Sequence, residues 1–348
     1  MEWFTPTVTP ARILVVHVAA IGDAAVASTV IERIRTETPG ARVTWVCGAV
    51  VEPLVRLYEG VTETIAVDQR ALFHGGLVAR AGEILRLWRA LLRRRFDRVI
   101  VLHPDPRYRV LVLPLIGTPK VFLSRKRHGE MIPVPARFLG DEYARLVGGT
   151  AHVGPIERRY RMADLRARVQ ASVARSSDAP RVALVPGGAR NVLREDALRR
   201  WPVASYARVA EVLLADGAEV VLVGGGDDLW VRPAFDGLAV TDHLGALTLE
   251  ETLGVLSQVD LVISHDTGPM HLARLVRTPL LALFGPTIPD QVLSMDASVR
   301  TIWGGAELAC RPCFDGREFA RCADNICLTR ITPSAVVDVA RTMLASRG

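Results

Sequence analysis

Lysine is nearly missing from this chain. Of 43 lysines and arginines in 348 residues, only Lys120 and Lys126 are lysine, so arginine carries almost all of the formal charge of +6. Compositional bias is the plain account of that imbalance. The functional account is that planar guanidinium forks suit phosphate oxygens on a nucleotide, an acidic glycolipid or a membrane surface. No motif of a DNA- or RNA-binding module is present, so nucleic acid is not an expected partner. No stretch reaches the ~18 to 20 uncharged apolar residues that cross a bilayer. The first residues, MEWFTPTVTPARILVV, offer neither a basic leader nor a small-residue cleavage site. No signal peptide is expected there, and the cytoplasm is the expected compartment. Aromatic residues make up 6% and cysteines number five, against 49% apolar residues overall. The core must therefore come from aliphatic packing, and the length favours two domains over one.

What is present is alternation. Short apolar runs at 13–18, 42–46, 64–67 and 98–102 read as buried strands, with helical spacing at 24–36, 50–58 and 82–95 between them. A charged helix is expected from Arg159 to Arg175, then a linker at Ser176-Ser177-Asp178-Ala179-Pro180. A second set follows, with strands at 181–185, 218–223, 261–264 and 280–284 and helices at 205–216, 249–258 and 269–276. Strands and helices taking turns predict an α/β chain of two comparable halves with parallel sheets and a cleft between them. In such sheets ligands bind beyond the carboxyl ends of the strands.

Four strand ends carry chemistry. Ala20-Ile21-Gly22-Asp23 follows the first strand, where Asp23 is either a helix-capping acid or a general base aimed at a substrate hydroxyl. Pro186-Gly187-Gly188-Ala189-Arg190 closes the first strand of the second half; paired glycines let backbone N–H groups approach an anion, or simply make a turn. It is not the dinucleotide fingerprint, because no G-x-G-x-x-G leads into a helix. Arg199-Arg200-Trp201-Pro202 lies downstream. Gly224-Gly225-Gly226-Asp227-Asp228 puts acids past a turn, where they hold sugar hydroxyls or cap a helix. In His265-Asp266-Thr267-Gly268-Pro269-Met270-His271, a strand stops and a helix begins. Thr267 and Gly268 can present N–H groups to a diphosphate, Asp266 suits neutral hydroxyls, and His271 can donate to a phosphate oxygen. A capped helix with a core histidine is the alternative.

Together these stretches, with Cys310-Arg311-Pro312-Cys313, Cys322, Cys327 and Ile331-Thr332-Pro333, resemble glycosyltransferase family 9 from about residue 12 to 345. The resemblance implies a GT-B architecture of two facing Rossmann-like domains with a cleft between them. The domains would be 1–175 for the acceptor and 176–330 for the nucleotide-sugar donor. A helix over 331–348 would follow, with a return onto the N-terminal domain as its expected packing. It implies inverting transfer without an essential metal or cofactor. The sugar would most naturally be heptose from ADP-heptose, and the acceptor a hydroxyl of a glycan or glycolipid such as a lipopolysaccharide core precursor. Asp23 would be the base. Gly187, Gly188, Arg190, Arg199, Asp228, Asp266, Thr267, Gly268 and His271 would hold the donor, and Arg107, after the fourth strand, the acceptor. The family commonly has lysine two residues before Trp-Pro; here Arg199 stands there, with Arg190 able to share the role. Other enzymatic readings are a nucleotide-sugar epimerase or hydrolase of the same fold, and the non-enzymatic one is a nucleotide-binding protein.

Two features stay open. Cys310, Cys313, Cys322 and Cys327 can bind zinc, form disulfides or remain reduced. The helix around GEILRLWRALLRRRFDR reads as a surface helix packed on its sheet or as a peripheral contact with an anionic membrane. The basic cluster Ser124-Arg125-Lys126-Arg127-His128 is an acceptor contact or a solvated loop.

Overall fold

The computed structural model describes residues 10–124, 126–127, 130–131, 137–148, 160–170, 178–190, 195–304, 307–310, 313 and 319–346. The first half runs β1 (Arg12–Val16), α1 (Ile21–Ala27), α2 (Thr29–Glu37), β2 (Arg42–Gly48), α3 (Glu52–Arg56), β3 (Val61–Val67), α4 (Gln69–His74), α5 (Leu77–Leu92), β4 (Arg98–Val101), α6 (Arg107–Leu111) and β5 (Lys120–Phe122). A small hairpin, β6 (Lys126–Arg127) and β7 (Glu130–Met131), and helix α7 (Leu139–Arg145) follow. The second half runs β8 (Arg181–Val185), α8 (Val203–Ala215), β9 (Glu219–Leu222), β10 (Thr241–Asp242), α9 (Leu249–Gln258), β11 (Leu261–His265), α10 (Gly268–Leu275), β12 (Leu280–Phe284), α11 (Pro289–Val292), β13 (Val299–Trp303), α12 (Ile326–Thr329) and α13 (Pro333–Ala345).

Two parallel sheets result, ordered β3-β2-β1-β4-β5 and β10-β9-β8-β11-β12-β13. Strands β8, β11 and β12 are buried along their whole length. A parallel strand covered by helices on both faces needs an unbroken apolar run, which is why these segments stand out in the sequence. Both sheets reverse strand order beside their first strand, at β1/β4 and at β8/β11. The connections there leave toward opposite faces and open a crevice at the carboxyl ends. The chemistry-bearing turns after β1, β4, β8 and β11 all sit at these two reversals.

The halves touch directly. One apolar cluster unites Val15, Ala24 and Ile31 with Val185, Val262 and Leu272, and α1 packs on α10 as α3 packs on α9. Separate clusters fill the outer face of each sheet.

Three expectations need correction. The helix expected over 24–36 begins at Ile21 and is divided at Ser28. There Thr29 Oγ1 donates to Val26 O (3.1 Å) and Gly140 O (2.7 Å), a side-chain competition that disturbs helices. Among described residues 160–170, the expected helix is only a 3₁₀ turn, Arg166–Arg168. This segment straps the halves together instead: Ala163 N donates to Ser28 Oγ (2.9 Å), Leu165 N to Leu275 O (2.7 Å) and Arg166 Nη2 to Ser257 O (2.7 Å). Among the described residues helix α13 packs chiefly on the second half rather than returning to the first. It lies on α8 and β11, with Val336, Val337 and Ala340 packed among Trp201, Tyr206 and Leu213. The linker at 176–180 falls partly outside the described residues, and so do most side chains of the basic cluster at 124–128.

Candidate active site

At the second reversal two glycine turns are tied together by one acid. Gly188 takes a left-handed conformation (φ 85°), which a side chain would strain. A Cβ at Gly187 would lie 2.6 Å from the Asp228 side chain. Asp228 accepts from Gly188 N through Oδ1 (2.6 Å) and from Gly225 N through Oδ2 (2.8 Å). Arg200 Nε donates to Gly188 O (2.8 Å).

Thr267 stands at the N-cap of α10, yet its hydroxyl does not cap the helix. It accepts from Ala189 N (2.8 Å) and so fastens the turn after β8 to the turn after β11. Pro269 has no N–H, and Met270 N donates to Thr267 O (3.2 Å). Gly268 N is the first backbone donor of this helix, where the helix dipole favours an anion.

Asp266 lies behind that turn, only 4% exposed. Its Oδ2 accepts from Thr287 Oγ1 (2.8 Å), and its Oδ1 faces Arg199 Nη1 at 3.4 Å. Burial alone would raise its pKa, but Arg199, His271 and the Thr287 hydroxyl outweigh it, and the carboxyl titrates below the usual range. Arg199 also reaches Asp196 (3.2 Å), so two acids hold it at the edge of the turn. Burial pushes the His271 pKa down to about 4, against the pull of Asp266.

Across the junction, Asp23 is exposed on the first turn of α1. The first turns of α1 and α10 meet: a Cβ at Gly268 would lie 3.5 Å from Ile21 Cβ, and one at Gly22 only 2.7 Å from His271 Cδ2. After burial, the Asp23 charge is the next cause that raises the pKa of Tyr108 and of Tyr143. Tyr108 donates from its hydroxyl to Val18 O and stacks on His103 with centroids 4.3 Å apart.

Comparisons with known proteins carry the same message. The model of glycosyltransferase family 9 (heptosyltransferase) matches residues 155–323. Lipopolysaccharide heptosyltransferase 2 of Escherichia coli K12 is 24% identical over 315 residues, 84% of this chain and 87% of that one.

The chain resembles glycosyltransferase family 9.

The E. coli heptosyltransferase WaaC, solved with ADP-2-deoxy-2-fluoro heptose, superposes with a TM-score of 0.72 at 17% identity, covering 95% of this chain and 99% of WaaC. The iron-containing dodecameric glycosyltransferase TibC of enterotoxigenic E. coli gives 0.61 at 14% identity, covering 97% and 77%. At such identities the likeness is one of fold, and that fold is GT-B.

The structure brings Gly187, Gly188, Asp228 and Thr267 into direct contact, with Asp266 and Arg199 behind them and Gly268 and His271 against α1. Both carboxylate oxygens of Asp228 are taken by backbone N–H groups, so it clamps the glycine turns. Arg190 is exposed and makes a β-bridge to Glu195, apart from these contacts. Arg107 heads α6, pairs with Asp105 through Nε (3.0 Å) and Nη2 (2.7 Å), and lies over the Phe73 ring. His103, Tyr108 and Thr287 lie beside these residues although nothing in the sequence assigned them a role, and Arg200 touches the Gly188 turn. Arg200 alone carried a signal, as the neighbour of Arg199. None of the five cysteines forms a disulfide. Among the described residues no three or more of His, Cys, Asp and Glu gather where they could hold a metal ion.

The Gly22–His271 contact makes a prediction. Gly22→Ala forces a methyl group into the histidine ring, and such overpacking costs about 1–3 kcal/mol. Thermal unfolding should fall by several degrees and transfer should weaken. Adding His271→Ala should return part of the lost stability; a G22A protein as stable as the parent would show that the contact is slack.

Proposed function

We propose that this glycosyltransferase moves a heptose from ADP-heptose to a hydroxyl of a glycolipid acceptor such as a lipopolysaccharide core precursor, with inversion and without an essential metal. The observation that carries this reading is the meeting of α1 and α10, which sets an exposed carboxylate beside a helix start that can receive an anion. The relatives named above supply the sugar, the nucleotide and the acceptor class.

In this reading Gly268 N, the Gly187–Gly188 turn and Arg199 receive the donor diphosphate, with Arg190 free to fold toward it. Charge grows on the leaving phosphate as the sugar acquires oxocarbenium character. Preorganised donors of this kind are worth ~3 to 4 kcal/mol each. Asp266, with Thr287 and Arg199 fixing its oxygens, accepts from sugar hydroxyls. His271, uncharged at neutral pH, buttresses α10 against α1. Asp23 takes the proton from the acceptor hydroxyl, which then attacks the anomeric carbon on the face opposite the diphosphate and inverts it. Arg107 offers the acceptor a cation at the end of β4. Because protein groups meet the leaving charge, no metal is needed. The iron named for TibC is a property of that protein.

The test is transfer from ADP-heptose to a core acceptor, followed by product chromatography and anomeric NMR. Acceptor-dependent ADP release, an inverted linkage and activity that survives EDTA are expected. ADP release at the same rate without acceptor would make the protein a hydrolase, and loss of activity in EDTA restored by a metal ion would refute metal independence.

A further inference from the structure

We propose that the outer face of the first half, formed by α5, α6 and the turn after α6, docks on an anionic lipid bilayer surface. The proposal rests on exposed side chains of this face and not on the identity of donor or acceptor.

Helix α5 carries more apolar surface than its sheet covers. Leu87 and Leu91 are fully buried, whereas Val78 is 88% exposed and Leu92 64%, with Leu85 exposed between them. These three recur every seven residues and therefore lie along one side of the helix. Trp88 Nε1 donates to Val110 O (2.9 Å), which pins α6 beside α5. The apolar strip then continues through Val110, Leu113 and Ile116, the last 90% exposed. Isolated exposed apolar residues are ordinary, but a strip continuous across two elements is not.

The cations on this face decide what covers it. Arg89 stands between Leu85 and Leu92 on the same side of α5, and Arg93 and Arg95 follow its end; all three are exposed, and none pairs with an acid among the described residues. Apolar side chains reaching the acyl boundary, with guanidinium groups among headgroup phosphates, fit an anionic bilayer. A second copy of the chain would set arginines against arginines. Arg107 heads α6, so the docked face leads to the carboxyl ends of the first sheet, where a lipid-borne acceptor would arrive.

Flotation of the full chain with vesicles tests this, comparing phosphatidylcholine alone with mixtures containing phosphatidylglycerol. The parent should float with the anionic vesicles, more at low salt than at high salt. The triple variant Val78→Asp, Leu92→Asp, Ile116→Asp and the double variant Arg89→Glu, Arg93→Glu should each lose on the order of tenfold or more in binding. Every replaced side chain is exposed, so circular dichroism and ADP affinity should stay at parental values. Transfer to a delipidated acceptor should also stay unchanged, which keeps this proposal separable from the reaction. A parent that stays in solution with anionic vesicles at low salt would overturn the proposal, as would a triple variant that floats equally well. A dimer in sedimentation that the triple variant abolishes would overturn it too, since a second copy would then own the face.

Discussion

Asp23→Asn should lower turnover about 10²- to 10⁴-fold, the ordinary value of a positioned general base. The asparagine keeps the shape and the place on the first turn of α1 but cannot accept the acceptor proton. ADP affinity, measured by calorimetry, should barely move, because the proposed diphosphate contacts come from the second half. Affinity and turnover falling together would mean that Asp23 holds the structure or the donor. Unchanged turnover would place the base elsewhere. Asp23→Glu separates geometry from charge: it restores a carboxylate that is one methylene too long, and it should recover only part of the loss.

Acid should unfold this protein unusually early. Burial lowers the pKa of His17 and His265 to about 3 and that of His271 to about 4, against an ordinary 6.5. The unfolded chain takes up protons as pH falls below 6.5, while the folded chain refuses them until about 4 or lower. Over that window the unfolded state binds up to three more protons. Stability must therefore fall as pH falls, by up to about 4 kcal/mol per pH unit. Two such units consume a large share of the ~5–15 kcal/mol that holds a typical fold. Asp266, whose pKa is depressed, loses its contribution in the same direction at still lower pH. Urea unfolding between pH 7.5 and 5 should show the midpoint dropping steeply. His17→Phe should remove about one third of that slope, since neither nitrogen of His17 has a hydrogen-bond partner to lose. A midpoint flat down to pH 5 would contradict the prediction.

The sequence announces those features that depend on local rules. Leu261–Ile263 and Leu280–Phe284 are apolar throughout because parallel strands are covered on both faces, and the turn after β8 needs glycine where Gly188 takes a left-handed conformation. Of the edge strands, β3 was legible at 64–67, whereas β5 and β10 were not. Strand β5 is three residues long with only half-buried side chains, and β10 is two exposed residues, so neither carries an apolar run. The segment at 160–170 looked helical because it is rich in arginine, yet hydrogen bonds to both halves determine its path. Asp228 appeared as an acid past a glycine turn, the same appearance a sugar-binding acid would have. Only its two N–H partners, 40 and 3 residues away, distinguish the roles. Similarly, no local pattern could say that Thr267 would leave its own helix uncapped to hold Ala189 N.

Crystals of the protein with ADP bound offer the most direct measurement. The diphosphate should rest against Gly268 N and the Gly187–Gly188 turn, within reach of Arg199, with the Asp23 carboxylate open across the junction of α1 and α10. A diphosphate seated away from the α10 start, or an Asp23 turned out of that junction, would contradict the shared site between the two halves.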